Sequence, residues 1–191
     1  MPGWPISLRI VLGLTFGAAD QFLGSRSITL GLWASTAAQV SAPWLVLPFL
    51  VGLTQQRSRR AATLGLAVSV AALVGYFAMT YSPLEIHPWS LHRFASGMVA
   101  LTRGWYNPMY VLGGLITGPL FGLLGQRWRA RRWWVSAVLV AGVLFLEPLV
   151  RWAAGRLMPP APVWTVEVAL GIIVGAIFVV AGLASRRVTP T

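Results

Sequence analysis

The sequence predicts an all-α, polytopic membrane protein. A single domain over residues 1–191 forms a bundle of six transmembrane helices with both termini cytoplasmic. Three observations carry this. The chain is 57% apolar and only 10% charged, whereas a soluble domain is typically about 25% charged. Its apolar residues fall into six runs, each near the roughly 20 residues that cross a bilayer. All 15 basic residues are arginine, and they cluster between the runs, as topology signals do.

The first run, 6–24, has no basic leader and no small-residue cleavage site, so it reads as a retained helix. Arg9 near its inner end is expected to snorkel to that face. The second, 30–54, is longer than a bilayer requires and holds Pro43 and Pro48. It is expected to tilt, kink or break. The third covers 61–82. The connection from Ser82 to Arg103 is the longest and carries Glu85, His87, His92 and Arg93; its residues 88–100 suit a short helix lying in the interface. The fourth, 104–125, starts with Asn107-Pro108, which is turn and capping chemistry. The fifth and sixth cover 134–155 and 163–184.

Glycines recur four residues apart: Gly13 and Gly17, then Gly114, Gly118 and Gly122, then Gly171 and Gly175. Small residues at this spacing let helix backbones approach closely in lipid. The stripe serves either packing inside the bundle or docking of another subunit, most plausibly through the first run. Gly13-Leu14 to Gly17, Leu23-Gly24 and Arg26 also echo Gly114-Leu115 to Gly118, Leu124-Gly125 and Arg127. The two runs point in opposite senses, so a true repeat would be inverted, as in many transporters. A chain rich in Gly and Leu also yields such matches by chance.

Orientation follows from the arginines. Arg57, Arg59 and Arg60 follow the second run, Arg127, Arg129, Arg131 and Arg132 the fourth, and Arg186 and Arg187 the sixth. The opposite loops hold Arg26, Arg93, Arg103 and Arg156, with Arg151 at a helix end. The richer side is expected to be cytoplasmic. Trp44, Trp89, Trp105, Trp133, Trp134, Trp152 and Trp164 fall where headgroups would lie, as amphipathic rings prefer.

Several chemistries are disfavoured. The absence of lysine removes a Schiff base, and the absence of cysteine removes disulfides and thiolate metal sites. His87 and His92 lie outside the runs, which does not suit a haem clamp. There is no HExxH, GxSxG or P-loop pattern. The chain is therefore expected to be neither an enzyme nor a holder of a metal or cofactor. The net charge of +11 reads as topology, with no nucleic-acid partner.

The acids point to function. Asp20, Glu147 and Glu167, three of four acidic residues, fall within or at the ends of apolar runs, where a carboxylate is expensive unless it pairs, faces a cavity or has a role. Glu147 lies 13 residues beyond Trp134, roughly 20 Å along a helix, which is the outer half of a core about 30 Å thick. Asp20 and Glu167 share that side, with Gln21 and Gln39 at similar depth and Trp89, His92 and Arg151 at or above it. One reading is an outward-facing pocket for a small polar or cationic solute, Trp89 stacking on a ring or cation. The other is local neutralisation, Glu147 pairing with Arg151 at i,i+4. Pro148 is expected to disturb helical geometry at Glu147.

Six helices, termini inside, polar groups gathered outside and the Gly13/Gly17 stripe together resemble the substrate-binding S components of energy-coupling factor (ECF) transporters. That resemblance implies capture of a solute from outside, and docking through Gly13 and Gly17 on a coupling subunit with ATPases. The stretch from Tyr110 to Gly125 also resembles actinobacterial six-helix integral membrane proteins without known activity. The expected function is thus a multi-pass plasma-membrane protein, in contact with lipid, that binds or transports a small solute. A structural or assembly subunit of a larger membrane complex and a standalone secondary transporter or channel are the alternatives.

Overall fold

The computed structural model describes residues 5–103, 107–131, 134–155 and 161–186. Among these the chain is all-α, without strands. The helices are α1 (Ile6–Ser25), α2 (Ser27–Leu30), α3 (Leu32–Ala37), α4 (Ala42–Leu53), α5 (Ser58–Thr80), α6 (Leu91–Arg103), α7 (Asn107–Arg131), α8 (Trp134–Ala153) and α9 (Ala161–Arg186). Among the described residues four stretches are long and apolar enough to cross a membrane: α1, α5, α8 and Pro162–Ala181 of α9. Each expected run meets helix, and the differences have local causes.

The second run is broken into α2, α3 and α4. Gly31 separates the first two at φ 87°, a left-handed conformation that costs glycine little. Pro43 sits in the first turn of α4, where its missing N–H removes no helical bond. α7 continues past the expected end to Arg131, so Arg127, Arg129 and Arg131 belong to its last turns and not to a loop. Cations there complement the helix dipole. Pro148 does not interrupt α8, which runs through it to Ala153; proline is tolerated where packing and apolar surroundings keep the helix folded. The short helix expected at 88–100 forms as α6, three residues later.

α5 is the hub. α1 packs along it, α7 packs along it, and α4 lies against α7 and α5. Glycine explains how closely these backbones run. A Cβ on Gly13 would stand 2.6 Å from the Val68 carbonyl oxygen and 3.0 Å from Ala71 Cβ. One on Gly17 would collide with the backbone of Ala72, and one on Gly75 with that of Leu14. On the α7 side, Gly118 and Gly122 meet Gly65, Ser69 and Ala61 of α5, and Gly125 meets Phe49 of α4. The Gly13/Gly17 stripe is therefore a seam inside the bundle, already filled by α5, and not a free face for another subunit. Within the echo between the first and fourth runs, Gly13 and Gly17 and their counterparts Gly114 and Gly118 all face α5, whereas Gly24 meets Ala38 and Gly125 meets α4.

α8 and α9 form a second unit, packed on each other. They join the rest through side chains. Phe178 meets Phe49 and Trp128 edge-on, with ring centroids 5.8 and 4.7 Å apart. Leu144 and Trp164 cluster with Val40 and Ala42. Trp44 and Trp164 thus turn inward and are not interface anchors; Trp89, Trp134 and Trp152 are exposed. Trp105, Trp133, Arg132, Arg156 and Arg187 lie outside the described residues.

The helix ends sort by charge. One end gathers the C-termini of α1, α5 and α8 with the N-termini of α4 and α9, and it holds all four acids. At the other end, Ser58 donates to Gln126 Oε1 at 3.1 Å, Gln126 Nε2 to the Gln56 carbonyl at 3.2 Å, and Arg129 to the Leu53 carbonyl at 3.3 Å. Arg57, Arg59 and Arg60 are exposed there.

Candidate functional site

The break before α4 creates the site. A new helix start exposes backbone N–H groups with no partner in their own helix, which need an acceptor from elsewhere. Ser41, at the N-cap position, makes no capping bond with its side chain. Glu147 does the work from α8. Ser41 N–H donates to both its carboxylate oxygens at 3.0 and 2.9 Å, and Ala42 N–H donates to Oε2 at 3.1 Å. A carboxylate at a helix N-terminus also meets the positive end of the dipole.

Arg151, one turn on, completes the arrangement. Its Nε and Nη2 donate to Glu147 Oε1 at 3.0 and 2.8 Å. The same Nη2 donates to the Gln39 carbonyl at 2.7 Å, so the guanidinium also reaches the backbone where α3 has ended. Its Cζ lies 5.3 Å from the centre of the Trp164 ring, a favourable place for a cation. One ion pair on α8 thus bolts both sides of the α3–α4 break. The i,i+4 pairing expected from sequence is present, with a structural task that sequence did not reveal.

Glu167 has no such task. It is 3% exposed, on the face of α9 turned toward α8, within electrostatic reach of both Glu147 and Arg151. Both its oxygens are buried without a hydrogen-bond donor. The Glu147 carboxyl group lies within side-chain hydrogen-bond reach of it, and two carboxyl groups can share such a bond only when one of them carries a proton. Two carboxyl groups thus stand beside one guanidinium in an enclosed space.

Asp20 lies apart from this pair. Trp44 Nε1 donates to its Oδ2 at 3.3 Å, and the Trp44 ring packs against Phe16 and Tyr76. Ala42 and Trp44 are two residues apart, about 200° around the helix, so Asp20 and the Glu147–Glu167 pair address nearly opposite faces of the first turn of α4. All three acids gather around one turn, without sharing one side of it. Gln21, half-buried, is next to Asp20 on α1. Gln39 contributes its carbonyl. Trp89 Nε1 donates to the Tyr81 carbonyl at 3.0 Å, and His92 is exposed on α6; neither contacts the acids. Among the described residues no group of three or more His, Cys, Asp or Glu is placed to hold a metal.

The amides of Ser41 and Ala42 and the rings of Trp44 and Trp164 are the residues that sequence reasoning missed. A signal existed. Ser41-Ala42-Pro43 is a helix-start pattern, and a start inside an apolar run demands an acceptor from elsewhere.

The family model that matches the chain spans residues 2–191 and is described as a family of unknown function (DUF6518). No curated protein and no solved structure matches.

Proposed function

This chain belongs to the DUF6518 family, and we propose that it is a multi-pass plasma-membrane protein that binds a small cationic solute at the acidic end of its bundle. The carrying observation is Glu167: nearly fully buried, both oxygens without a donor, beside an ion pair already balanced. A buried acid in a membrane segment that is neither capped nor paired is the default mark of an ion or solute path. In this reading α7 and the broken α2–α4 segment complete six spans. The arginine-rich end faces the cytoplasm by the positive-inside rule, so the acids face outward. The site is occluded, and entry requires α9 to part from α4 while the Glu147–Arg151 bolt keeps the helix break sealed.

The S-component resemblance supports capture from outside. Its docking stripe is not carried forward, since Gly13 and Gly17 are filled by α5. A second reading, a structural or assembly subunit, draws support from Glu147 itself, every bond of which is spent on holding the fold. The two separate at Glu167→Gln. Thermal unfolding in neutral-lipid nanodiscs, titrated with sodium, potassium, ammonium and tetramethylammonium, reads the site. Native mass spectrometry of gently extracted protein reads any solute already bound. The proposal expects a cation to stabilise the natural chain and to lose that effect in the variant. A variant that is simply more stable, in a chain no cation stabilises, overturns it in favour of the structural subunit.

A further inference from the structure

The opposite end holds the converse anomaly, a buried cation with no acid. Arg9 does not snorkel: it is 1% exposed, tucked between the α4–α5 turn and the start of α5. Among the described residues its bonded partner is the neutral Gln55. With the Gln55 amide oxygen facing the guanidinium, that oxygen accepts from Nη1 at 3.1 Å and Nη2 at 3.2 Å, and also from the Thr54 hydroxyl. Nε is buried with no acceptor. The charge that acts on Arg9 is another cation, Arg60. No side-chain carboxylate is available, because the four in the chain all lie at the other end. The nearest along α1, Asp20, is about 16 Å away at 1.5 Å per residue.

An arginine has five N–H donors in a planar fork suited to phosphate. Here two go to a neutral amide and one is sealed without a partner. We propose that Arg9 anchors a site for the phosphate of an anionic phospholipid, with Arg60 and the exposed Arg57 as its rim. Rotation of Gln55 away from the guanidinium opens the fork, and phosphate oxygens take its place. The surroundings select a lipid over a free anion. Ile6, one turn before Arg9 on the same face of α1, is 54% exposed, and Leu8, next to Arg9 in the chain, is 41% exposed. They offer apolar surface to acyl chains beside a headgroup held at Arg9. Basic pockets between membrane helices are known to suit such headgroups.

The site is independent of the acidic end, and it is tested separately. The protein in phosphatidylcholine nanodiscs is titrated with phosphatidylglycerol, and in a parallel arm with inorganic phosphate, following thermal unfolding and lipid retention by native mass spectrometry. The natural chain should be stabilised by phosphatidylglycerol and should retain it through delipidation. Arg9→Gln should lose both effects. Gln55→Glu guards against simple misfolding of that variant: it gives Arg9 an internal carboxylate, so it should unfold at a higher temperature and no longer retain the lipid. Equal stabilisation by the two lipids overturns the proposal, as does lipid retention in Gln55→Glu equal to that of the natural chain. Stabilisation by inorganic phosphate as strong as by phosphatidylglycerol overturns the lipid assignment.

Discussion

The α1–α5–α7–α4 unit and the α8–α9 hairpin solve one packing problem by different means. The first brings backbones together by deleting side chains, with glycine against carbonyl oxygen along three seams. The second keeps its backbone farther from the rest and is joined by aromatic rings and one ion pair. In lipid the hydrophobic effect does not favour helix association, so close contact and polar bonds must supply it. A glycine seam has no freedom to slide, because any shift drives a Cα into a carbonyl. A hairpin held by side chains can tilt as those side chains change rotamer. The hairpin side also carries Glu167, so the unit held by side chains and the candidate site coincide.

The largest effect is expected at the seams. Gly17→Leu inserts a side chain where even a Cβ collides with the backbone of Ala72. Overpacking of this kind costs about 3 kcal/mol or more, and the variant should unfold well below the natural chain in a detergent melt. Gly113→Ala is the matched control, since nothing stands within 4 Å of a Cβ there. Removing a helical glycine should gain roughly 0.5–1 kcal/mol. Similar melts for the two variants would mean that the seam is not the stabilising element.

The bolt comes next. Glu147→Ala leaves two amide N–H groups and a partly buried guanidinium without their acceptor. Breaking a buried pair from one side costs about 3–5 kcal/mol, reduced here to roughly 2–3 because Arg151 retains some exposure and can reach water. The double variant Glu147→Ala/Arg151→Met should recover part of this loss, and a double-mutant cycle measures how much. Additive losses would show that the two residues act separately, and the hairpin would then rest on its aromatic contacts alone.

The chain disclosed these features unequally. Helical runs and glycine spacing are local patterns, and they gave the helices, the short α6 among them, and the seams, though not which helix each seam faces. The cap at Ser41 and Ala42 was hidden because its acceptor lies 106 residues away from Ser41. Arg9 misled for a related reason. A basic residue near a helix end ordinarily snorkels, and nothing local shows that Gln55 folds over it. The Arg151 partner of Glu147 is legible at i,i+4, but its bonds to the Ser41 and Ala42 N–H groups are not. Glu167 is the acid that caps no helix and accepts from no N–H group among the described residues, its neighbour being the Glu147 carboxyl group.

The smallest effect is expected at Asp20, and it sharpens the contrast most. Asp20 accepts one bond, from Trp44 Nε1 at 3.3 Å, in a region already fixed by the α1–α5 seam. Asp20→Asn keeps an oxygen for that bond and removes a charge, so its melting temperature should stay close to that of the natural chain. Asp20→Ala should cost about 1 kcal/mol, the usual worth of one hydrogen bond. Glu147→Gln is the same chemical change at the hairpin, yet it should cost clearly more. Its amide NH₂ must face either the α4 N–H groups or the Arg151 guanidinium, donors against donors. A pair of melts on Asp20→Asn and Glu147→Gln therefore asks whether charge is structural on one side of α4 and dispensable on the other. Equal losses would place Asp20 in the same bolt as Glu147, and the two units would no longer be held by different means.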